Sequence, residues 1–269
     1  MRVGRLVLAG LTLCAVGSAA AAGVALRPTG PAEPVPSPEA DAGPAAPGDL
    51  LHNFYFVRAQ YTDRGLYPNW KDWKTDFPKA DVQFLTVFTR LADVDAFEEG
   101  LPIRLDDPEL RRFPYLYAVE VGQMKLTDTE VEGLRSYLLA GGLLVVDDFW
   151  GTDEWRTFES QMRRVLPERR LVDVPLDHAL FHAYYDIDEI VQVPNSGQAA
   201  GGGQTWESDG VVPAVRGIFG EDGRLMVVAN WNTDLGDAWE WAESPHYPLK
   251  YSTYAIRMGV NTIVYALSH

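Results

Sequence analysis

The chain of 269 residues contains one cysteine, Cys14, and only five histidines. A lone thiol rules out a disulfide framework and any site built from several thiolates. Basic residues are scarce too: 23 Lys and Arg stand against 38 Asp and Glu, a formal charge of −15. Phosphate recognition needs clustered cations to displace counterions, so this balance argues against nucleic acid as a partner, and against docking on anionic lipid. The apolar stretch Leu6–Val16 is shorter than the roughly 20 residues that cross a bilayer. An apolar content of 46% without a collagen-like glycine period leaves a globular domain of ordinary size.

What is present begins with an address. Arg2 and Arg5 precede the apolar stretch, small residues fill Ser18–Ala22, and an Ala-x-Ala site stands at Ala20–Ala22. This is the secretory pattern, and it predicts a signal peptide over Met1–Gly23. Leu13 before Cys14 is too large for a lipidation site. Cleavage removes Cys14 and leaves a mature chain without a thiol nucleophile or thiolate ligand, exported to the periplasm or secreted. An uncleaved segment would instead tether the protein to the membrane. Residues 24–48, rich in Ala and Pro, cannot bury enough surface to offset their ordering entropy and read as a disordered linker. The folded part is one domain, Asp49–His269, without an internal repeat.

Within it, Asn53–Tyr61 is rich in aromatic and β-prone residues and predicts an opening strand. Trp70, Trp73 and Phe77 lead into Pro78, after which Val82, Leu85, Phe88, Thr89 and Leu91 recur at helical spacing. Ile103–Leu105 and Tyr115–Val121 follow as strands. The clearest unit is a capping box of Thr127 and Glu130, an apolar face of Val131, Leu134, Leu138 and Leu139, and a stop at Gly141-Gly142. Leu143–Val146 then reads as a strand buried on both faces, and a helix capped by Thr152 follows. Later come a strand at Leu171–Val174, a loop with a short helix over Pro175–Tyr185 and an extended Ile187–Val193. A hairpin of Val215–Phe219 and Leu225–Asn230 precedes a closing helix from Tyr251 to Ala266. Strand, helix, strand, helix at this spacing predicts an α/β fold with a mainly parallel sheet flanked by helices, whose ligands sit beyond the carboxyl ends of the strands.

That rule singles out Asp147 and Asp148, directly after a buried strand. Successive side chains of extended backbone point opposite ways, so one of the two faces the cleft; the alternative is that one caps the following helix and the other binds an Arg. Glu120, at the end of another buried strand, is a cleft carboxylate or half of a salt bridge, and Trp150 lies in the same loop. Asn230, Asn232, Asp234 and Asp237 interleave with Trp239: oxygen ligands for a hard cation beside indole faces that suit sugars, or a surface loop pinned by tryptophans. Arg216 and Arg257 could anchor these carboxylates or an anionic ligand.

Six segments, DDPEL (Asp106–Leu110), YAVEVG (Tyr117–Gly122), VVDDFWG (Val145–Gly151), LDHALF (Leu176–Phe181), NWNTDLGDAWEW (Asn230–Trp241) and YAIRMGVN (Tyr254–Asn261), resemble the bacterial family called domain of unknown function 4159. Some relatives in that family are fused to membrane segments of envelope proteins, which agrees with the export signal. Thr127–Val146, His178 and Gly223-Arg224 are more distantly similar to the trehalose-utilisation domain of the class I glutamine amidotransferase-like superfamily. Ala179 and Asp147-Asp148 depart from that pattern. The similarity implies a flavodoxin-like fold and brings His178, beside Asp177, toward the strand ends as a general base or metal ligand. His182 could share a face with it. The superfamily's nucleophilic Cys has no counterpart here, which excludes thiolate-driven glutamine hydrolysis.

Two functions follow. The first is an exported binding module of the bacterial cell envelope that holds a small polar ligand or a protein partner. The second is a carbohydrate-active or metal-assisted enzyme in which Asp148, His178 or Glu120 does acid/base work. The residues name no cofactor and no particular metal.

Overall fold

The computed structural model describes residues 50–67 and 71–269; the segments expected to be a signal peptide and a linker, and Trp70, lie outside them. In chain order the elements are β1 (Val57–Gln60), α1 (Lys79–Ala92), β2 (Leu101–Arg104), β3 (Tyr115–Val119), α2 (Asp128–Leu139), β4 (Leu143–Asp147), α3 (Gly151–Val165) and β5 (Val172–Asp173). Next come α4 (Ser196–Gly201), β6 (Ala214–Phe219), β7 (Leu225–Trp231), α5 (Leu235–Glu240) and α6 (Leu249–Ser268). No helix among the described residues is long and apolar enough to cross a membrane.

The strands form one seven-stranded sheet in the order β2-β1-β3-β4-β7-β6-β5. β2, β1, β3, β4 and β7 run parallel; β6 is antiparallel to β7, and the two-residue β5 antiparallel to β6. The fold is therefore α/β with a mostly parallel sheet, as the strand and helix alternation predicts. Every residue of β3 and β4 is buried because neighbouring side chains serve opposite faces. Tyr115, Tyr117, Leu143 and Val145 join Phe84 and Phe88 of α1, Trp239 of α5 and Met258 of α6. Leu116, Ala118, Leu144 and Val146 join Leu134 and Leu138 of α2 and Phe158 and Met162 of α3.

A fully buried pair ties α1 to the sheet: Arg58 in β1 donates from Nε to Asp81 Oδ2 (3.1 Å) and from Nη2 to Asp81 Oδ1. Its remaining nitrogen donates to the carbonyls of Thr75 (2.9 Å) and Trp73 (3.3 Å), so the segment before α1 is pinned from inside the core.

The expected elements are present with ends shifted by a few residues, some shortened and some lengthened, and the capping box of Thr127 and Glu130 forms on both sides. Four details differ. Leu139 is exposed, because the helix has turned past the sheet at its last residue. Thr152 does not cap α3: Trp150 occupies that place, and the Thr152 N–H and hydroxyl both donate to Asp209 (2.7 and 2.6 Å). Ile187–Val193 pairs with no strand of the sheet. α4 and α5 are one and a half turns each, too short for apolar periodicity to show in the sequence.

Candidate ligand-binding cleft

Three neighbouring parallel strands end in the same way. The residue after β3, Glu120, the residue after β4, Asp148, and the residue after β7, Asn232, all take positive φ (52°, 49° and 61°). Left-handed backbone in residues other than glycine costs on the order of 1 kcal/mol or more each and persists only where its surroundings enforce it. Here backbone bonds do so beyond the last rung of the sheet. Glu120 N–H donates to Asp148 O, Asp148 N–H to Thr233 O and Asn232 N–H to Phe149 O, each at 3.1 Å. A fourth such residue, Asp76 (φ 63°), follows the segment that Arg58 pins.

Asp76, Glu120 and Asp148, but not Asn232, line a cleft of about 510 Å³ together with Lys71, Asp72, Lys74, Thr75, Asn195, Glu207, Asp234 and Asp237. Seven of those eleven are acidic. Lys71 reaches Glu120 Oε2 (3.5 Å), Glu154 Oε1 (3.5 Å) and Glu207 Oε2 (3.6 Å). Burial alone would lower its pKa, but Glu120, Glu154, Asp148 and Glu207 outweigh that and hold the ammonium above its ordinary range. The carboxylates move the other way. Burial, with the Asp148 charge next, raises Asp76, Glu120 and Asp234 well above the usual carboxylate range. Burial pushes Asp148 itself up to about 7, against the pull of Lys71.

The two aspartates divide, Asp147 being the last residue of β4 and Asp148 the left-handed residue that follows it. Asp147 is sealed under the cleft, where its Oδ2 accepts from Leu235 N–H (2.6 Å), Gly236 N–H (3.0 Å) and the Tyr117 hydroxyl (3.1 Å), fixing the start of α5 to the sheet. Asp148 faces the cleft, with Oδ1 held by Trp150 Nε1 (3.0 Å). Trp150, 1% exposed, is thus a support for Asp148 and not a platform for ligand. Asp234 Oδ1 caps α5 by accepting from Asp237 N–H (2.7 Å), and Asp237 accepts from Ser196 N–H and Trp241 Nε1 (3.2 Å).

Several predicted residues are elsewhere. Asn230 donates to Val146 O (3.3 Å) inside the sheet. Asn232 bridges Gly151 N–H (2.8 Å) and Val212 O (2.7 Å). Trp239 is buried among Phe56, Phe84 and Tyr117. Arg216 lies over Trp155 and Trp231 and pairs with Asp173 (2.8 Å), and Arg257 lies over Tyr185 in a separate groove. His178 is not brought to the cleft. It caps the turn Ala179–His182 and packs on Phe219 and Tyr265, beside the start of β7 at the opposite end of the sheet. His182 is tied to Asp186 (2.8 Å) and Leu176 O (2.9 Å), and no metal-compatible cluster among the described residues contains a histidine.

Conversely, sequence reasoning missed Lys71, Asp76 and Glu207. None follows a strand or belongs to a patterned run; the one signal for Lys71 and Asp76 is the aromatic segment ending at Pro78, which marks a loop held against the core, and Glu207 has none.

The fold and the cleft define an α/β domain that gathers carboxylates at the carboxyl ends of a parallel sheet. Residues 56–267 match the family model described as Domain of unknown function (DUF4159), and the chain belongs to that family. No curated protein matches it.

Proposed function

We propose that this chain is an exported domain of the bacterial cell envelope that binds a small polar ligand, a saccharide, in the cleft at the strand ends. The observation that carries the reading is the convergence of carboxylates from separate loops on one open cleft, with an aromatic pocket beside it. That second pocket, about 270 Å³, is lined by Trp241, Tyr247, His246, Ser196, Gly197, Ala200 and Ser244. Asp237 joins the two: it lines the cleft and holds the Trp241 indole. Carboxylates that accept from hydroxyls, beside indole and phenol faces that cover apolar ring faces, are what a sugar requires. The N-terminal address supports export. The likeness to the trehalose-utilisation domain and the strand order β2-β1-β3-β4-β7, which follows the flavodoxin-like pattern, support a carbohydrate ligand and a glutamine amidotransferase-like fold.

Catalysis is the second reading, favoured by the Asp148 carboxyl, which at about 7 is poised to give or take a proton near neutral pH. One experiment separates the two. The mature protein, recovered from the periplasm or medium and sized by mass spectrometry, is titrated with a panel of oligosaccharides and assayed for their cleavage. Binding without turnover supports the module, and turnover lost in Asp148→Asn supports the enzyme. A protein retained in the cytoplasm, or binding unchanged in Asp148→Asn and Trp241→Ala, refutes the proposal.

A further inference from the structure

We infer that the cleft holds a hard divalent cation, Ca2+ or Mg2+, between Asp76, Asp148 and Asp234. This deepens the polar-ligand reading and rests on the same cleft. One carboxylate oxygen from each of these residues lies within 4.8 Å of the other two. Three carboxylates that close repel one another unless they share protons or a cation stands between them. Lys71, whose charge also reaches Asp148, has its ammonium 3.5–3.6 Å from three other carboxylates, Glu120, Glu154 and Glu207.

A second observation points to a ligand. Asp76 Oδ2 is closed off from solvent and accepts from no donor among the described residues, a costly arrangement for a carboxylate. Asp76 reaches this place in left-handed backbone, against Gly236, where a Cβ would collide with that same oxygen. The other two ligands are already aimed. Trp150 Nε1 holds Oδ1 of Asp148, and the Asp237 N–H holds Oδ1 of Asp234. The second oxygen of each accepts no hydrogen bond from another described residue. Contacts of this kind orient the ligands of metal sites.

Oxygen-only donors select hard cations over zinc or copper. A second acidic group, Asp76 with Asp237 and Glu240, meets the same distance criterion. Its members are committed elsewhere: both oxygens of Asp237 accept hydrogen bonds, and Glu240 pairs with Lys79 (3.5 Å). A cation with three protein ligands keeps open positions, and two adjacent hydroxyls of a saccharide are the ligand chemistry that fills them.

The test is calorimetric titration of the EDTA-stripped full chain with CaCl2 and with MgCl2, each alone, beside Asp76→Asn, Asp148→Asn and Glu240→Gln, with thermal unfolding to establish that every variant is folded. The expected result is one equivalent of one of these cations, bound more than about tenfold more weakly by folded Asp76→Asn and Asp148→Asn, and unchanged in Glu240→Gln. Absence of binding at millimolar cation by folded wild type overturns the inference, as does full affinity in Asp76→Asn or a loss confined to Glu240→Gln. Because no sugar is present, cation failure with saccharide binding intact leaves the polar-ligand reading standing. The reverse outcome leaves the cation site standing alone.

Discussion

In EDTA, this protein is expected to be less stable at pH 7.5 than at pH 5.5, opposite to the behaviour of a domain held by ion-paired carboxylates. The unfolded Asp148 carboxyl, near its ordinary 3.8, is ionised at both values, whereas the folded one, pushed up to about 7, is protonated at the lower and mostly ionised at the higher. The folded chain therefore binds more protons across this window, and stability falls as pH rises through it. At about 1.4 kcal/mol per pH unit of mismatch, Asp148 alone removes about 2 kcal/mol between the two values. For a domain of this size that is a drop of roughly 4–8 °C in the unfolding midpoint. Asp76, Glu120, Asp147 and Asp234, all raised by burial, push the same way. His178, held below its ordinary value chiefly by burial, opposes them, and Lys71 does not titrate here. Thermal unfolding of wild type and Asp148→Asn at both values reads Asp148 together with the share of the Asp76, Glu120 and Asp234 shifts that its charge supplies. A wild type as stable at pH 7.5 as at 5.5, or an Asp148→Asn protein with the same slope as wild type, refutes the reasoning.

Other substitutions test other contacts. Asp147→Ala leaves three buried donors, Leu235 N–H, Gly236 N–H and the Tyr117 hydroxyl, without an acceptor. It should cost several kcal/mol, read by urea unfolding; a loss below about 1 kcal/mol contradicts this. Gly236→Ala places a methyl on Asp76 Oδ2 and should abolish the response to cation while the protein stays folded by circular dichroism. Thr127→Ala breaks the capping box far from the cleft, with an expected cost of about 1 kcal/mol and unaltered ligand binding. Tyr61→Phe frees the carbonyls of Val119 and Glu120 (2.6 and 3.0 Å) and should destabilise by about 1 kcal/mol, measured the same way.

What the sequence discloses and what it hides follow from how each feature is encoded. β4 is legible because an apolar run between a glycine stop and two aspartates has no other place in a fold. Glu120 and Asp148 are legible because the cleft lies where parallel strands end, and Asp234 and Asp237 because oxygen donors crowd among tryptophans in one short stretch. Asp147 and Asp148 part as expected, though through the left-handed residue at Asp148 and not by extended alternation. Asp76 and Lys71 are hidden because their positions depend on Arg58, a buried cation in mid-strand whose hydrogen bonds to distant carbonyls leave no periodic trace. Asn230, Asn232 and Trp239 mislead for a related reason: polar and aromatic residues that knit buried turns have the same composition as residues that meet a ligand. His178 misleads because a residue's place along the chain does not tell which end of a sheet its loop visits.

The bond network under Asp147 has a consequence for how such a cleft can diversify. Its floor, the start of α5, is joined to the central strand by the buried Asp147 side chain, so remodelling that joint costs stability of the whole domain. Exchange of the Leu235 and Gly236 amides should accordingly be as slow as that of β4. Of the rim, Lys71–Asp76 is pinned in turn by the carbonyls that Arg58 holds, whereas Asn195–Glu207 has no such tie to a buried strand among the described residues. A family built on this plan can keep one base and replace that one wall, changing what it recognises by altering a single stretch of chain while the foundation stays the same.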